Sequence, residues 1–407
     1  MTAHGTSAPT RREINLARLG VGIIFLCNGA GYASLVPRLP EVKADLGLTN
    51  AMFGIAIAAY PAGALISGAF AGLLMRRLGS PLIAWGGMIV AMLGILAAAV
   101  SPVFWMFCAA IFLAGCGDAV TDVAQNHHGL RVQKLHGKSI INSYHAMWSV
   151  GALLGGIGGA AALGLDLGRV PHLIGVSVLL IAATTVGWKL MLPGPEPTEI
   201  VGANTPTENV KGRLGHPIVI LAALSAIALA GAVIEESAGT WATLYMTSEI
   251  GATGWVAALA YVSAMGMHFA GRLSGDPLVD RFGQRRMALY GGGLAAAGML
   301  LAILFPTTAT TIIGYGLAGF GVATVIPSVF EAADAMPGRK PGSALTVTSL
   351  VLRIGFLASP PLVGVIADAS AIRWGLLLVP LAGLVVMALA WVLSDRQEPG
   401  NVPVPTR

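Results

Sequence analysis

Residues 276–286 read Asp276-Pro-Leu-Val-Asp280-Arg281-Phe-Gly283-Gln-Arg285-Arg286, and 204 positions earlier the chain reads Gly72-Leu-Leu-Met-Arg76-Arg77-Leu-Gly79. Each is a short basic stretch closed by a glycine and wedged between two long apolar runs. The register extends outward at the same offset: Gly87 meets Gly291, Gly94 meets Gly298, Pro102 meets Pro306, Gly115 and Gly117 meet Gly319 and Gly321, and Gly151 meets Gly355. Matches that hold one offset over several apolar runs imply a chain built from a doubled unit. An even number of spans per unit makes the repeats parallel, related by an axis along the membrane normal.

Hydrophobic residues make up 55% of the 407 and charged residues 11%, against roughly a quarter charged in soluble domains. A membrane-spanning helix needs about 20 mostly apolar residues. Twelve such stretches are expected: 18–37, 52–75, 80–100, 103–126, 139–164, 170–191, 217–245, 252–274, 286–305, 307–331, 342–367 and 371–393. The fold class is therefore an all-α polytopic membrane protein of 12 transmembrane helices. An open sheet is excluded, because lipid offers nothing to unpaired backbone groups. Polar residues between spans six and seven divide the chain into an N-terminal six-helix bundle (1–192), a cytoplasmic linker (193–216) and a C-terminal six-helix bundle (217–407).

With the N-terminus in the cytoplasm, 19 Lys and Arg fall on the cytoplasmic side (Arg11, Arg12, Arg18, Arg76, Arg77, Arg131, Lys134, Lys138, Lys189, Lys211, Arg213, Arg272, Arg281, Arg285, Arg286, Arg339, Lys340, Arg396, Arg407). Four fall outside (Arg38, Lys43, Arg169, Arg373), and Arg353 lies within a span. Positive charge is retained inside, so both termini are expected in the cytoplasm. The net charge of +5 is a topology signal rather than a nucleic-acid surface, since the cations sit in short clusters between spans. Cys27, Cys108 and Cys116 all fall in apolar runs and read as small buried hydrophobes. Neither a phosphate-binding glycine loop nor a metalloprotease or nucleophile-elbow motif occurs; no cofactor, no metal and no enzymatic reaction are expected.

The 276–286 stretch resembles the loop signature of the major facilitator superfamily. In it Gly283 would make a tight turn, Asp280 would pair with a nearby Arg, and Arg281, Arg285 and Arg286 would hold the loop inside. The first copy keeps Gly72 and Gly79 but carries Arg76, followed by Arg77, where the acid belongs. A second resemblance is to the fucose-permease-like branch. It rests on Gly115-Cys-Gly117-Asp118-Ala-Val-Thr-Asp122-Val-Ala-Gln-Asn126, on Ser143-Tyr-His145-Ala-Met-Trp148-Ser-Val-Gly151, on Trp241-Ala-Thr-Leu-Tyr245 and on Ser359-Pro360-Pro361-Leu-Val-Gly364-Val-Ile-Ala-Asp368. It covers nearly the whole chain. It implies two six-helix bundles in the major facilitator fold, with helices one, four, seven and ten around a cavity. It also implies proton coupling through an acid in helix four, here Asp122. The branch's partner acid in helix one is missing, because Gly22–Pro37 offers Asn28 and Tyr32 but no carboxylate.

Ionisable groups inside a span are costly and normally face a partner or a wet cavity. Asp118 and Asp122 stand i,i+4 on one helix face. Asp122 is expected roughly 12 Å to the cytoplasmic side of the span's midpoint at ~1.5 Å per residue. There it can meet His145, either as a protonatable pair or as a hydrogen-bonded lock between helices. Glu235 and Glu236 lie mid-span but point ~100° apart, so one faces the cavity, in a coupling or substrate role or paired with Arg353. His268 is expected to make an interhelical hydrogen bond. His127, His128, Glu331 and Asp334 are expected at the membrane interface. The candidate lining is Asn28, Tyr32, Asp118, Asp122, Asn126, Glu235, Glu236, Trp241 and Arg353.

The expected function is secondary active transport of a small polar, sugar-like solute by alternating access with protons. The alternative is a proton-driven drug or metabolite exporter of the same fold. The expected partners are that small-molecule substrate, protons and the lipid bilayer, with no nucleic acid. The expected state is a monomer, multi-pass in a bacterial inner membrane.

Overall fold

The structure is a computed structural model and describes residues 9–137, 140–193, 217–336 and 343–395. The expected linker, apart from Pro193, lies outside the described residues, as do Lys138, Lys211, Arg213, Arg339, Lys340, Arg396 and Arg407. Among the described residues there is no strand. In chain order the helices are α1 (Arg11–Leu35), α2 (Leu39–Asp45), α3 (Asn50–Leu78), α4 (Ser80–Val100), α5 (Phe104–His136), α6 (Ile141–Gly164), α7 (Arg169–Leu190), α8 (Pro217–Ser248), α9 (Trp255–Phe282), α10 (Gln284–Leu304), α11 (Thr308–Val322), α12 (Val325–Asp334), α13 (Ser343–Ala369), α14 (Ile372–Gly375) and α15 (Leu378–Leu389).

These make twelve transits, because α1 with α2, α11 with α12, and α14 with α15 are single spans interrupted once. Proline explains the later two interruptions, since its ring collides with the carbonyl four residues back and it has no N–H to donate. Pro327 stands four residues after Ala323, where α11 gives way to α12, and Pro380 four after Leu376, where α14 gives way to α15. Eleven transits are long and apolar enough to cross a membrane. The remaining one, α9, is 28 residues long but carries His268, Arg272, Asp276, Asp280 and Arg281.

The chain divides into two compact units, Met1–Ala203 with Ala252–Val262, and Asn204–Gly251 with Ser263–Arg407. Within each, the repeated glycines make equivalent contacts. A methyl group at Gly115 would strike the carbonyl of Tyr60, and one at Gly319 would strike that of Ala264, 204 residues on. Gly87 and Gly117 abut across α4 and α5 as Gly291 and Gly321 do across α10 and α11. Gly151 abuts the backbone of Leu26 as Gly355 abuts that of Leu229. Small residues let helix backbones approach closely where lipid supplies no hydrophobic drive.

Both ends of each unit are fastened the same way. The signature glycines turn the chain with φ 79° and ψ 149° at Gly79 and φ 83° and ψ 155° at Gly283, a conformation that only glycine adopts without strain. The next residue in each unit is buried and bonded. Ser80 Oγ lies 2.8 Å from His128 Nδ1, and the Leu192 N–H donates to His128 Nε2 at 3.2 Å. Because Nε2 accepts, Nδ1 carries the proton and donates to Ser80. In the second unit Gln284 Nε2 donates to Glu331 Oε2 (2.7 Å) and Ser394 Oγ donates to Gln284 Oε1 (3.2 Å). His128, expected at the interface, is instead fully buried, because it ties the fourth transit to the start of the third and the end of the sixth. At the opposite ends Arg169 pairs with Asp45 (2.8 Å) and Arg373 with Glu249 (3.9 Å); both partners in the second pair stand 204 residues after those in the first.

The loop signature's other expectation fails. Asp280 is exposed and makes no ion pair among the described residues, and Arg281 lies over the Phe282 ring at 5.3 Å. Arg285 pairs with Asp395 (3.1 Å). The tie at this loop runs through Gln284 rather than through the acid.

Candidate functional site

The middle of the first unit holds a connected polar cluster. The midpoint of Arg11–Asp45 falls on Asn28, and that of α5 on Val120. Asp118 and Asp122 therefore flank the centre of α5 at ~3 Å on either side. The sequence reading placed Asp122 much nearer the cytoplasmic end. The helix itself continues ten residues past Asn126 to a left-handed cap at Gly137, φ 74°.

Asn28 Nδ2 donates to Asp118 Oδ1 at 2.7 Å, and Tyr60 of α3 gives Asp118 a second hydrogen bond. Asn28 Oδ1 accepts from the Trp148 indole (3.1 Å) and from Gln125 Nε2 (3.2 Å). An indole can only donate, so the orientation of the Asn28 amide is forced. Gln125 Nε2 also reaches Asp122 Oδ1 (3.2 Å), and Asn126 Nδ2 donates to the carboxylate (3.0 Å) and carbonyl (2.8 Å) of Asp122. The Tyr32 and Tyr60 rings lie 4.4 Å apart. Four transits thus bring Asn28, Tyr32, Tyr60, Asp118, Asp122, Gln125, Asn126 and Trp148 together. Polar groups are costly to bury without partners, and the chain supplies them from α1, α3, α5 and α6. The buried Gln125 Oε1 is an acceptor with no donor among the described residues. His145 is exposed near the start of α6, its ring edge-on to Phe25 at 5.4 Å.

Gln125 and the bond of Tyr60 to Asp118 are not anticipated in sequence, where Tyr60 reads only as an aromatic able to stack on a sugar ring. Gln125 was recoverable, since 118, 122 and 125 follow i, i+4, i+7 on one helix face. Tyr60 had no such signal, because its role depends on α3 packing against α5 at Gly115.

The second unit is arranged differently. Glu236 Oε1 accepts from Thr240 of its own helix at 2.6 Å. Glu235 lines a small enclosed cavity with His268 of α9 and Tyr315 and Gly319 of α11. The two acids do diverge, as adjacent helical residues must. His268 is 4% exposed and, contrary to expectation, makes no hydrogen bond among the described residues. Arg272 of α9 acts electrostatically on Glu235. Arg353 is exposed on α13 and pairs with no described acid, so of its two readings, a group for an anionic or hydroxylated solute or the neutraliser of a glutamate or Asp118, the second does not form. Trp241 is fully enclosed, as are Tyr245, whose hydroxyl bonds Ala302 O at 3.0 Å, and Tyr315.

Apart from Tyr32 and Glu236, which occupy equivalent positions, these polar groups are not repeated. Positions equivalent to Asn28, Asp118, Asp122 and Gln125 hold Ala232, Val322, Ile326 and Val329, and those equivalent to Glu235 and His268 hold Gly31 and Ala64. The described residues contain no cluster of three or more His, Cys, Asp or Glu suited to a metal ion.

The comparisons with known proteins agree with this architecture. An uncharacterized transporter of Sinorhizobium fredii is 31% identical over 378 residues, covering 92% of this chain and 98% of that one. The crystal structure of the nucleoside transporter NupG (a D323A mutant) superposes with a TM-score of 0.72 at 11% identity, covering 93% of this chain and 100% of that one. The fucose:proton symporter FucP of E. coli superposes at 0.59 with 19% identity, covering 94% and 99%. A family model described as the Major Facilitator Superfamily matches residues 21–277 and 269–406. With that match across both repeats, the chain is a multi-pass membrane protein and belongs to the Major Facilitator Superfamily.

Proposed function

We propose that this protein carries a small polar solute, sugar- or nucleoside-like, across a bacterial inner membrane by alternating access, coupled to protons. The supporting observation is the cluster at the middle of α1 and α5, a carboxylate-centred network in apolar surroundings that the duplicated half lacks. In this reading Asp118 and Asp122 exchange the proton, with His145 as the relay toward the cytoplasm. Asn28, Tyr32, Asn126, Gln125 and Trp148 meet the solute. Gln125 Oε1 is the acceptor for a solute hydroxyl or for a protonated carboxyl. Glu235, with His268, and Glu236 form the second unit's contribution, and both termini stay in the cytoplasm. The names of the related structures, a nucleoside transporter and a fucose:proton symporter, favour hydroxylated solutes. Rocking of residues 1–192 against 217–407 would expose the site alternately to each side.

The test begins with a thermal-shift screen of sugars, nucleosides, organic acids and antibiotics on purified protein, since a specific solute stabilises by mass action. The stabilising solute is then added to proteoliposomes. Solute-driven proton entry with the solute supports the reading. Solute uptake without proton movement, or stabilisation by hydrophobic drugs alone, overturns it.

A further inference from the structure

A groove of about 860 Å³ runs along the first unit between α1, α6 and α7. Its α1 wall is a stripe, Asn15, Arg18, Leu19, Gly22 and Leu26, at the i, i+3, i+4, i+7 spacing of one helix face. Asn28 lies ~200° around the helix from Leu26 and faces Asp118 instead, so the groove is not the polar site. Flanking the stripe, Gly20 abuts Gly187 of α7 and Gly29 abuts Trp148 of α6, whereas a methyl added at Gly22 would meet no atom. The groove is therefore open at Gly22 and walled by helix contacts on both sides.

Its chemistry is split end from end. Asn15, Arg18 and Ser143 gather where α1 and α6 begin, and Ile23, Leu26, Cys27, Met147 and Ala183 continue inward. Arg18 is exposed and makes no hydrogen bond or ion pair among the described residues. The Tyr144 hydroxyl, on the same wall, is buried without a partner. Among the described residues no carboxylate lines the groove; Glu13 is turned back to cap α1 at Thr10. From Arg18 to Leu26 the helix rises ~12 Å, most of one leaflet's hydrocarbon depth of ~15 Å.

We infer that this groove is a binding site for one anionic phospholipid of the cytoplasmic leaflet, of the phosphatidylglycerol kind. Its phosphodiester takes the Arg18 guanidinium, with Asn15 and Ser143 as further donors, and one acyl chain lies over Gly22 between Leu26, Met147 and Ala183. Arginine's fork suits phosphate, and basic positions at the cytoplasmic face are where anionic head groups are recognised. An ammonium-bearing head group finds no acid here, which sets the preference against zwitterionic lipid.

The test is native mass spectrometry of delipidated full-length protein titrated with phosphatidylglycerol or with phosphatidylcholine of the same chains. Wild type is expected to retain phosphatidylglycerol about fivefold more tightly. Arg18→Gln should level the two lipids. Gly22→Leu, whose side chain enters open space, should lose the retained lipid while keeping the lipid-free thermal midpoint of wild type. Glycerol 3-phosphate should give no adduct. Equal retention of both lipids by wild type, unchanged preference in either variant, or binding of glycerol 3-phosphate alone would overturn the site.

Discussion

The two halves of this protein agree at their ends and disagree in their middles. Each has a glycine turn at its signature loop, a buried polar residue just after it tied to the fourth and sixth transits, and an arginine–acid pair at the opposite end. The partners change freely, Ser80 with His128 in one unit and Gln284 with Glu331 in the other, while the places they join do not. At mid-span the relation inverts: Asp118, Asp122 and Asn28 face Val322, Ile326 and Ala232 in the repeat. Repetition marks what holds the helices, and its absence marks what the protein does with them.

The sharpest way to break this contrast is to treat equivalent positions alike. Asp118→Asn should lower transport on the order of 100-fold, the scale on which a positioned proton-transfer group is felt, whereas Val322→Ala should leave it within about twofold, since the loss of one such methyl pair is felt mainly as ~1 kcal/mol of packing. Uptake in proteoliposomes, normalised to folded protein, measures both. A comparable loss in the two would erase the distinction between middle and scaffold.

The scaffold side predicts symmetry instead. Gly115→Val and Gly319→Val each force a side chain into a neighbouring backbone, and each should cost about 1–3 kcal/mol or more, visible as similar falls in thermal midpoint. One tolerated and one not would mean the repeats are packed by different rules. His128→Ala removes one bond of Ser80 and the acceptor of the Leu192 N–H, at a cost of about 1–3 kcal/mol. Glu331→Gln keeps an acceptor for Gln284 and should cost less than about 1 kcal/mol. Thermal unfolding compares them directly.

The smallest effects belong to the partly exposed pairs. Arg169→Gln and Arg373→Gln should each cost no more than about 1 kcal/mol. Arg169 should matter more, because its pair is shorter and its Nε also bonds Ala99 O at 2.9 Å.

Most of the fold was readable because lipid allows few solutions. A run of about 20 apolar residues has to be a helix there, and glycines in register had to be contacts. The places that escaped were those where helicity and lipid exposure part company. In sequence the fourth transit reads as stopping at Asn126, because His127 to His136 is mostly polar, yet His128 is buried and the helix runs on. Charge pairing was the least legible part. One of the two readings of Arg353 matches it to mid-span acids by depth alone, but depth says nothing of the direction a side chain takes around its helix. Trp241 was drawn toward solute for its ring and is enclosed for the same reason, being the bulkiest filler available.

The most direct measurement is the pH change inside proteoliposomes when a transported solute is added outside, for wild type and for Asp118→Asn of equal thermal stability. Acidification that accompanies solute entry in wild type and vanishes in Asp118→Asn is the predicted result. Undiminished acidification in Asp118→Asn would contradict the claim that the unrepeated cluster of the first unit moves the proton.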